Sequence, residues 1–270
     1  MIIFKSINKL NKEVNFKANI GFVPTMGSLH KGHISLINSS KKLCKKTLVS
    51  IFINPSQFNK KSDLKSYPKN LKMDLKILKN LKADYILIPS AKEIYKNNKD
   101  KKIKLNKNEK IMCSMYRPGH FEGVLAVINQ FLKRIKPRYI FLGEKDYQQL
   151  FLIKRLIKRK FHTKVLSCKT VRDKNKIALS SRNKLLNRED LIKSSYISSA
   201  LINLRIKLKR NIFFKNQISD LKKKINNLKN IKVEYIEIRN KNNLSRNFNK
   251  NNFKIFIAYY NKKIRLIDNY

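Results

Sequence analysis

Short apolar stretches alternating with amphipathic ones over the first two-thirds of the chain predict an α/β domain built on a parallel sheet. A change of texture near residue 170 predicts a smaller α+β domain after it. All six glycines and all six prolines lie at or before position 143, in a chain otherwise depleted of both. A glycine that survives such depletion marks a place where a side chain is not tolerated, so 21–32, 119–123 and 143 are where chemistry is expected.

Taken in order, residues 20–24 form an apolar run entering a glycine-containing turn, and 29–43 a helix with apolar Leu29, Ile34, Leu36 and Ile37. TLVSIFIN at 47–54 is β-branched and apolar, the composition of a strand buried on both faces. An amphipathic helix over 71–81 precedes a strand over 84–89 (DYILIP). A helix at 121–135, a strand at 138–143 (RYIFLG), a helix at 147–160 and a strand at 164–171 continue the alternation. After ALSSRN (178–183) come helices over 189–209 and 217–228, then strands over 232–239, 253–259 and 263–267. The expected domains are 1–170 and 171–270.

The chain has 270 residues, of which 42% are hydrophobic, enough for a real core. Against 63 Lys+Arg stand 17 Asp+Glu, a net charge of +46 that raises nucleic acid as a partner. The lysines are scattered along the whole chain, outnumber the arginines, and keep company with the Asn, Ile, Phe and Tyr that A/T-rich codons also specify. With no RGG run, RNP-type aromatic signature or zinc-finger spacing, the reading is a solvated surface without a specific nucleic-acid partner. Its field would still attract anionic substrates. Cys44, Cys113 and Cys168 are widely separated and show no CxxC spacing, which excludes a disulfide scaffold or cysteine zinc site and favours a reducing cytoplasm. No stretch approaches the ~18 apolar residues of a membrane span, and MIIFKSINKL does not read as a secretory signal.

The strongest signal is VPTMGSLHKGH at 23–33, which follows a strand and opens a helix. A helix N-terminus offers N–H groups and partial positive charge to a phosphate. His30 and His33 stand three apart, so on a helix they share a face and reach one anion together. Gly32 between them leaves room for a nucleotide. Asn54-Pro55-Ser56-Gln57 lies at the carboxyl end of a strand, where open α/β sheets bind ligands, and Gln57 has both donor and acceptor for a hydroxy acid. Gly143-Glu144-Lys145-Asp146 also follows a strand: Gly143 allows close approach of a nucleotide, Lys145 suits a phosphate, and Asp146 suits ribose hydroxyls or the metal–phosphate shell. Ser180-Ser181-Arg182 brings two hydroxyls and a guanidinium together, a match to phosphate oxygens, although Ser180 could equally be a helix cap.

PTMGSLHKGH resembles the ATP-binding H-x-G-H element of the pantothenate synthetase family, within the nucleotidylyltransferase superfamily that includes class I aminoacyl-tRNA synthetases. VSIFINPSQF (49–58), YPKNLKMDL (67–75), RPGHFEGV (117–124), GEKDYQQL (143–150), ALSSRN (178–183) and RLIDN (265–269) resemble further segments of the family in the same order. Glu122, and Ile177 where glycine is usual, are mild departures. The resemblance implies a Rossmann-like catalytic domain followed by a lid. It implies an ATP-dependent ligase that joins pantoate to β-alanine through pantoyl-adenylate, with Mg²⁺ riding mainly on the triphosphate, and a homodimer. It implies ATP contacts from Met26, Gly27, Ser28, Leu29, His30, Lys31, Gly32, His33, Gly143, Glu144, Lys145, Asp146, Val171, Leu179, Ser180, Ser181 and Arg182, with His30, His33, Lys145 and Arg182 catalytic. Pantoate or β-alanine contacts fall to Gln57, its companion Gln149, Asn54, Pro24 and Arg117, with His120 beside them; no protein metal site is implied. Two other readings remain: a different nucleotidylyltransferase acting on a phosphorylated alcohol or phosphopantetheine, and an RNA-binding protein on a degraded enzyme scaffold.

Overall fold

The computed structural model describes residues 1–16, 19–59, 61–95, 103–210, 212 and 216–270, which divide into two compact units, Met1–Thr170 and Val171–Tyr270. In the first unit the elements are β1 (Ile2–Phe4), α1 (Ile7–Glu13), β2 (Ile20–Thr25), α2 (Lys31–Leu43), β3 (Lys46–Ile51), α3 (Lys61–Ser66), α4 (Leu71–Asn80), β4 (Tyr85–Leu87), α5 (Ala91–Ile94), α6 (Cys113–Tyr116), α7 (His120–Ile135), β5 (Tyr139–Gly143), α8 (Tyr147–Lys160) and β6 (Lys164–Cys168). The six strands pair in parallel in the order β1-β4-β3-β2-β5-β6. Helices cover both faces, and successive strand residues divide between them. Phe22 meets Phe131 of α7 edge-on at 5.4 Å. Its neighbour Val23 joins Leu36 and Ile37 of α2 and Leu78 of α4 in a cluster on the other side. Each such buried side chain contributes ~1.5–3 kcal/mol.

The chain leaves β2 in opposite directions across the sheet, toward β3 and eventually toward β5, so a crevice opens between the carboxyl ends of β2 and β5. Pro24 widens it. The β2–β5 ladder consists of Gly21↔Tyr139 and Phe22↔Ile140 and stops there, while the β2–β3 ladder runs on to Thr25↔Ile51. Proline has no N–H with which to extend the shorter ladder.

In the second unit a hairpin over 171–179, bridged at Arg172↔Ala178, leads into a 3-10 turn (Ser181–Leu185) and then α9 (Arg188–Lys209), α10 (Asn216–Asn226), β7 (Ile231–Asn240), β8 (Phe253–Asn261) and β9 (Ile264–Asn269). The three strands form an antiparallel sheet in sequence order. Asn187 and Asp190 close a capping box at the start of α9. Its Ile197, Leu201, Leu204 and Leu208 pack on Ile236, Ile238, Ile255 and Ile257 of the sheet.

The mixed α/β class and the alternation of elements are those the sequence predicts. The strand expected over 164–171 ends at Cys168, because the chain turns there toward the hairpin. The helix expected from residue 29 begins at Lys31, because Gly27 and Ser28 take φ of +79° and +51° and His30 is extended. β1, α1 and the short helices α3, α5 and α6 are additions. Among the described residues no helix is long and apolar enough to cross a membrane.

Candidate active site

The loop joining β2 to α2 is held from inside. Thr25 Oγ1 donates to the Ser50 carbonyl (2.7 Å) and accepts the Gly27 N–H (3.2 Å). The carboxylate of Asp74, on α4 and only 2% exposed, accepts the N–H of Ser28 (2.8 Å) and of Leu29 (2.7 Å). Two successive left-handed residues are thereby fixed, one of them a non-glycine that adopts this conformation at a cost of ~1 kcal/mol or more. Sequence reasoning missed Asp74; the available signal was a carboxylate among the apolar positions of an amphipathic helix in an acid-poor chain.

His30 is the N-cap of α2, and its Nδ1 accepts the Gly32 N–H (3.1 Å). The neutral ring therefore carries its proton on Nε2, which can donate outward. The ring of His33, in the first turn, lies against it with centroids 4.1 Å apart and planes tilted by 41°. The two imidazoles are thus brought together as a stacked pair, cap against helix, rather than as neighbours on one helical face. Gly32 also has a different reason from the one the sequence suggested: a Cβ there would lie 2.8 Å from His30 Cε1, so its missing side chain makes room for the cap ring. The amides of Gly27, Ser28, Leu29 and Gly32 are all engaged within the protein, unlike those of a bare helix N-terminus.

After β3 the chain enters a 3-10 turn (Pro55–Gln57) capped by Asn54. Asn54, 1% exposed, donates from Nδ2 to the Gly123 carbonyl (3.0 Å) and to Gln57 Oε1 (3.2 Å). Its Oδ1 accepts from the Ser56 hydroxyl (2.8 Å) and the Tyr95 hydroxyl (2.8 Å). Asn54, expected among the substrate contacts, is thus tied within the protein and holds the Gln57 amide. Burial pushes the Tyr95 phenol above its ordinary value, so it remains a donor. Gln57 donates from Nε2 to Met26 Sδ (2.7 Å), which ties this turn to the histidine loop. One N–H and one lone pair of its amide remain for a ligand.

The Gln57 carbonyl accepts from Arg117 (3.3 Å) and contacts His120 Nδ1 (2.7 Å), while Arg117 lies 3.0 Å from His120 Nε2. Arginine can only donate, so Nε2 accepts and the His120 proton sits on Nδ1, directed at that carbonyl. Arg117 and His120 thus brace the backbone of Gln57. Gly123 of α7 permits the closeness: a Cβ there would lie 2.3 Å from the Ser56 carbonyl oxygen.

Across the crevice, β5 ends at Gly143, where no protein atom lies within 4 Å of the place a Cβ would take. Its φ of -79° is an ordinary one, so the packing around the strand end leaves room for a side chain there. Lys145 Nζ lies 3.2 Å from Asp146 Oδ1. Tyr147 is held above the usual phenol range by burial and by Glu144. Burial, with Glu144 adding to it, raises the Cys168 thiol at the end of β6, so it is not a thiolate. Gln149, half-buried in the first turn of α8, has an amide taken up by no hydrogen bond among the described residues. Its neighbour Gln148 is committed to the segment before α6, accepting from Cys113 N–H (3.1 Å) and donating to the Ile111 carbonyl (2.7 Å).

The remaining candidates belong to the second unit. Leu179 N–H donates to the Val171 carbonyl (3.0 Å), closing the hairpin. Its left-handed residue is Lys176, and Ile177 is buried with its N–H on Asp173 Oδ1 (2.9 Å), so Ile177 needs no glycine conformation. Arg172 makes a two-pronged pair with Asp268 of β9 (2.7 and 2.9 Å) and lies 4.3 Å from the Tyr270 ring centroid. This clamp also escaped the sequence reading. Ser180 Oγ accepts the Arg182 N–H (3.3 Å), capping the turn whose next residues are buried Ser181 and half-buried Arg182.

The family profile described as pantoate-beta-alanine ligase matches residues 2–270. The chain is 40% identical over 275 residues to the pantothenate synthetase of Francisella tularensis subsp. novicida, covering all of this chain and 97% of that one. It is 41% identical over 262 residues to the bifunctional pantoate ligase/cytidylate kinase of Prochlorococcus marinus subsp. pastoris, covering 94% of this chain and half the length of that protein. A crystal structure of pantothenate synthetase from Thermus thermophilus superposes with a TM-score of 0.92 at 27% identity, covering 100% and 99% of the two chains. One of the pantoate-beta-alanine ligase from Francisella tularensis, complexed with beta-gamma ATP and beta-alanine, superposes with a TM-score of 0.85 at 37% identity, covering 100% and 97%.

Proposed function

The chain belongs to the pantoate–β-alanine ligase family, and from that premise we propose that it condenses pantoate with β-alanine, using ATP, through a pantoyl-adenylate. The observation that carries this reading is the bond from Gln57 to Met26, which ties the turn after β3 to the loop that bears the paired imidazoles.

A carboxylate is a poor acyl donor because oxide would have to leave. In the first step a pantoate carboxylate oxygen attacks the α-phosphorus of ATP, the bond from that phosphorus to the bridging oxygen breaks, and pyrophosphate departs. His30, through Nε2–H, His33 and Lys145 offset charge on the departing group; Ser180, Ser181 and Arg182 carry donors of the same kind for phosphate oxygens. Gln57 and Gln149 hold pantoate, Arg117 bracing the former. Met26, Gly27, Ser28, Leu29, Lys31 and Gly32 line the nucleotide site and Pro24 the pantoate side; Val171 and Leu179 of the hairpin are further nucleotide contacts in this reading. The open space before Gly143 admits the nucleotide, and Asp146 meets its ribose. In the second step the β-alanine amine attacks the acyl carbon, AMP leaves, and the amine gives up a proton. The protein chiefly positions reactants and excludes water from the adenylate.

Mg²⁺ would be carried mainly by the triphosphate, where it neutralises pyrophosphate charge; the half-exposed carboxylate of Asp146 beside Lys145 is suited to its outer shell. Residues 1–170 would form the catalytic domain and 171–270 a lid. A homodimer in the cytoplasm completes the proposal, its three free cysteines suiting a reducing compartment.

Pyrophosphate release from ATP should require pantoate, and adding β-alanine should yield the amide and AMP. Release without pantoate, or with phosphopantetheine in its place, overturns the reading.

A further inference from the structure

We propose that Asp74 is a positioning residue for adenylate formation, acting through the backbone of residues 27–29 on the histidine pair; this rests on the ligase reading above. Its two oxygens accept two consecutive amides, Ser28 at 2.8 Å and Leu29 at 2.7 Å. Those amides flank the turn where the chain runs left-handed through Gly27 and Ser28. The fit is close, since a Cβ on Gly27 would lie 2.9 Å from Asp74 Oδ2. Leu29 immediately precedes the His30 cap, and His30 in turn stacks on His33. Shifting either amide therefore moves the His30 cap and the ring that packs against it. Lysine or a neutral amide could not replace the carboxylate: two N–H groups converge, and only a group that is acceptor at both ends takes both.

The geometry makes a claim that a merely structural role would not. The histidine pair serves departure of pyrophosphate, so disturbing it should separate the two half-reactions. In the full-length protein, Asp74→Asn, which keeps one acceptor, should lower pantoate-dependent pyrophosphate release by about 100-fold in kcat, the effect of a small misplacement of catalytic groups. KM for pantoate should change little. The same variant, supplied with pantoyl-adenylate, should transfer it to β-alanine at close to the normal rate. Asp74→Glu keeps the charge one methylene further out and should show the same split, which covers the case in which Asp74→Asn folds poorly.

Asp84→Asn is the control. Asp84 also accepts a backbone amide (Thr47, 2.9 Å) and pairs with Lys46, but at the entry end of β3, away from the crevice. It should reduce thermal stability and leave the ratio of the half-reactions unchanged. Equal loss of both half-reactions in the Asp74 variants, or full pyrophosphate release by a folded variant, overturns the positioning role. Absence of pantoate-dependent release in the wild-type protein overturns the ligase reading instead.

Discussion

The loop at 25–33 and the hairpin at 171–179 are both fastened by one aspartate from far along the chain, yet the two fastenings are chemically different. Asp74 gathers backbone amides and so dictates the path of the main chain. Asp268 gathers the Arg172 guanidinium and so holds the hairpin through a single side chain. The turn at 181–185 that follows is capped by the Ser180 hydroxyl, and its Asn183 donates to the Ala178 carbonyl (3.1 Å). In a sequence with 17 carboxylates against 63 cationic side chains, both are used at joints rather than on the surface. The lesson is that the first unit fixes the backbone that carries its paired imidazoles, whereas the second fixes only where its serine–arginine turn begins.

The sharpest way to test this contrast is His33→Ala, expected to reduce adenylate formation by ~10²–10³-fold while leaving pantoate affinity nearly unchanged, because its role is in the transition state. Pyrophosphate exchange beside equilibrium pantoate binding reads both; full turnover by the variant would remove the imidazole pair from the mechanism. Next in size, Arg172→Ala leaves Asp268 buried without its partner and should destabilise the second unit by about 2–3 kcal/mol, reduced from a fully buried pair by partial exposure. Urea unfolding monitored in both units should show the loss in the second; an unchanged transition would break the comparison. Gly123→Ala drives a methyl into the Ser56 carbonyl and should cost about 1–3 kcal/mol while raising KM for pantoate through displacement of Gln57.

The smallest effect concerns alkaline pH. Burial, reinforced by Asp268, raises the Tyr270 phenol far above its ordinary value, and burial does the same for Tyr259. The folded state thus binds these protons more tightly than the unfolded one. The corresponding stability is fully present below the usual phenol value of about 10 and falls as pH rises through it. Melting temperatures between pH 9 and 11, with tyrosinate absorbance, should show these phenols ionising only as the second unit unfolds.

The alternation that organises the first unit was legible because its central strands are buried on both faces and its longer helices, α2, α4, α7 and α8, are amphipathic over ten residues or more. β1 and α1 were not, since they are three and seven residues long and α1 is secured by Ser6 and Ile7 reaching Glu93, a partner no local period encodes. Residue type and spacing singled out the histidines, Gln57 and the Gly143–Asp146 turn as candidates. They could not find what holds them. The Asp74 clamp, the Asn54 knot and the Arg172–Asp268 pair each join positions tens of residues apart, and the reason for Gly32 depends on a ring orientation that exists only after folding.

Pro24 carries one more consequence. Because the split between β2 and β5 is written into an imide nitrogen rather than into side-chain packing, the cleft needs no ligand to pry it apart and cannot zip shut when empty. Its entrance is a property of the covalent chain, present from the moment the sheet assembles.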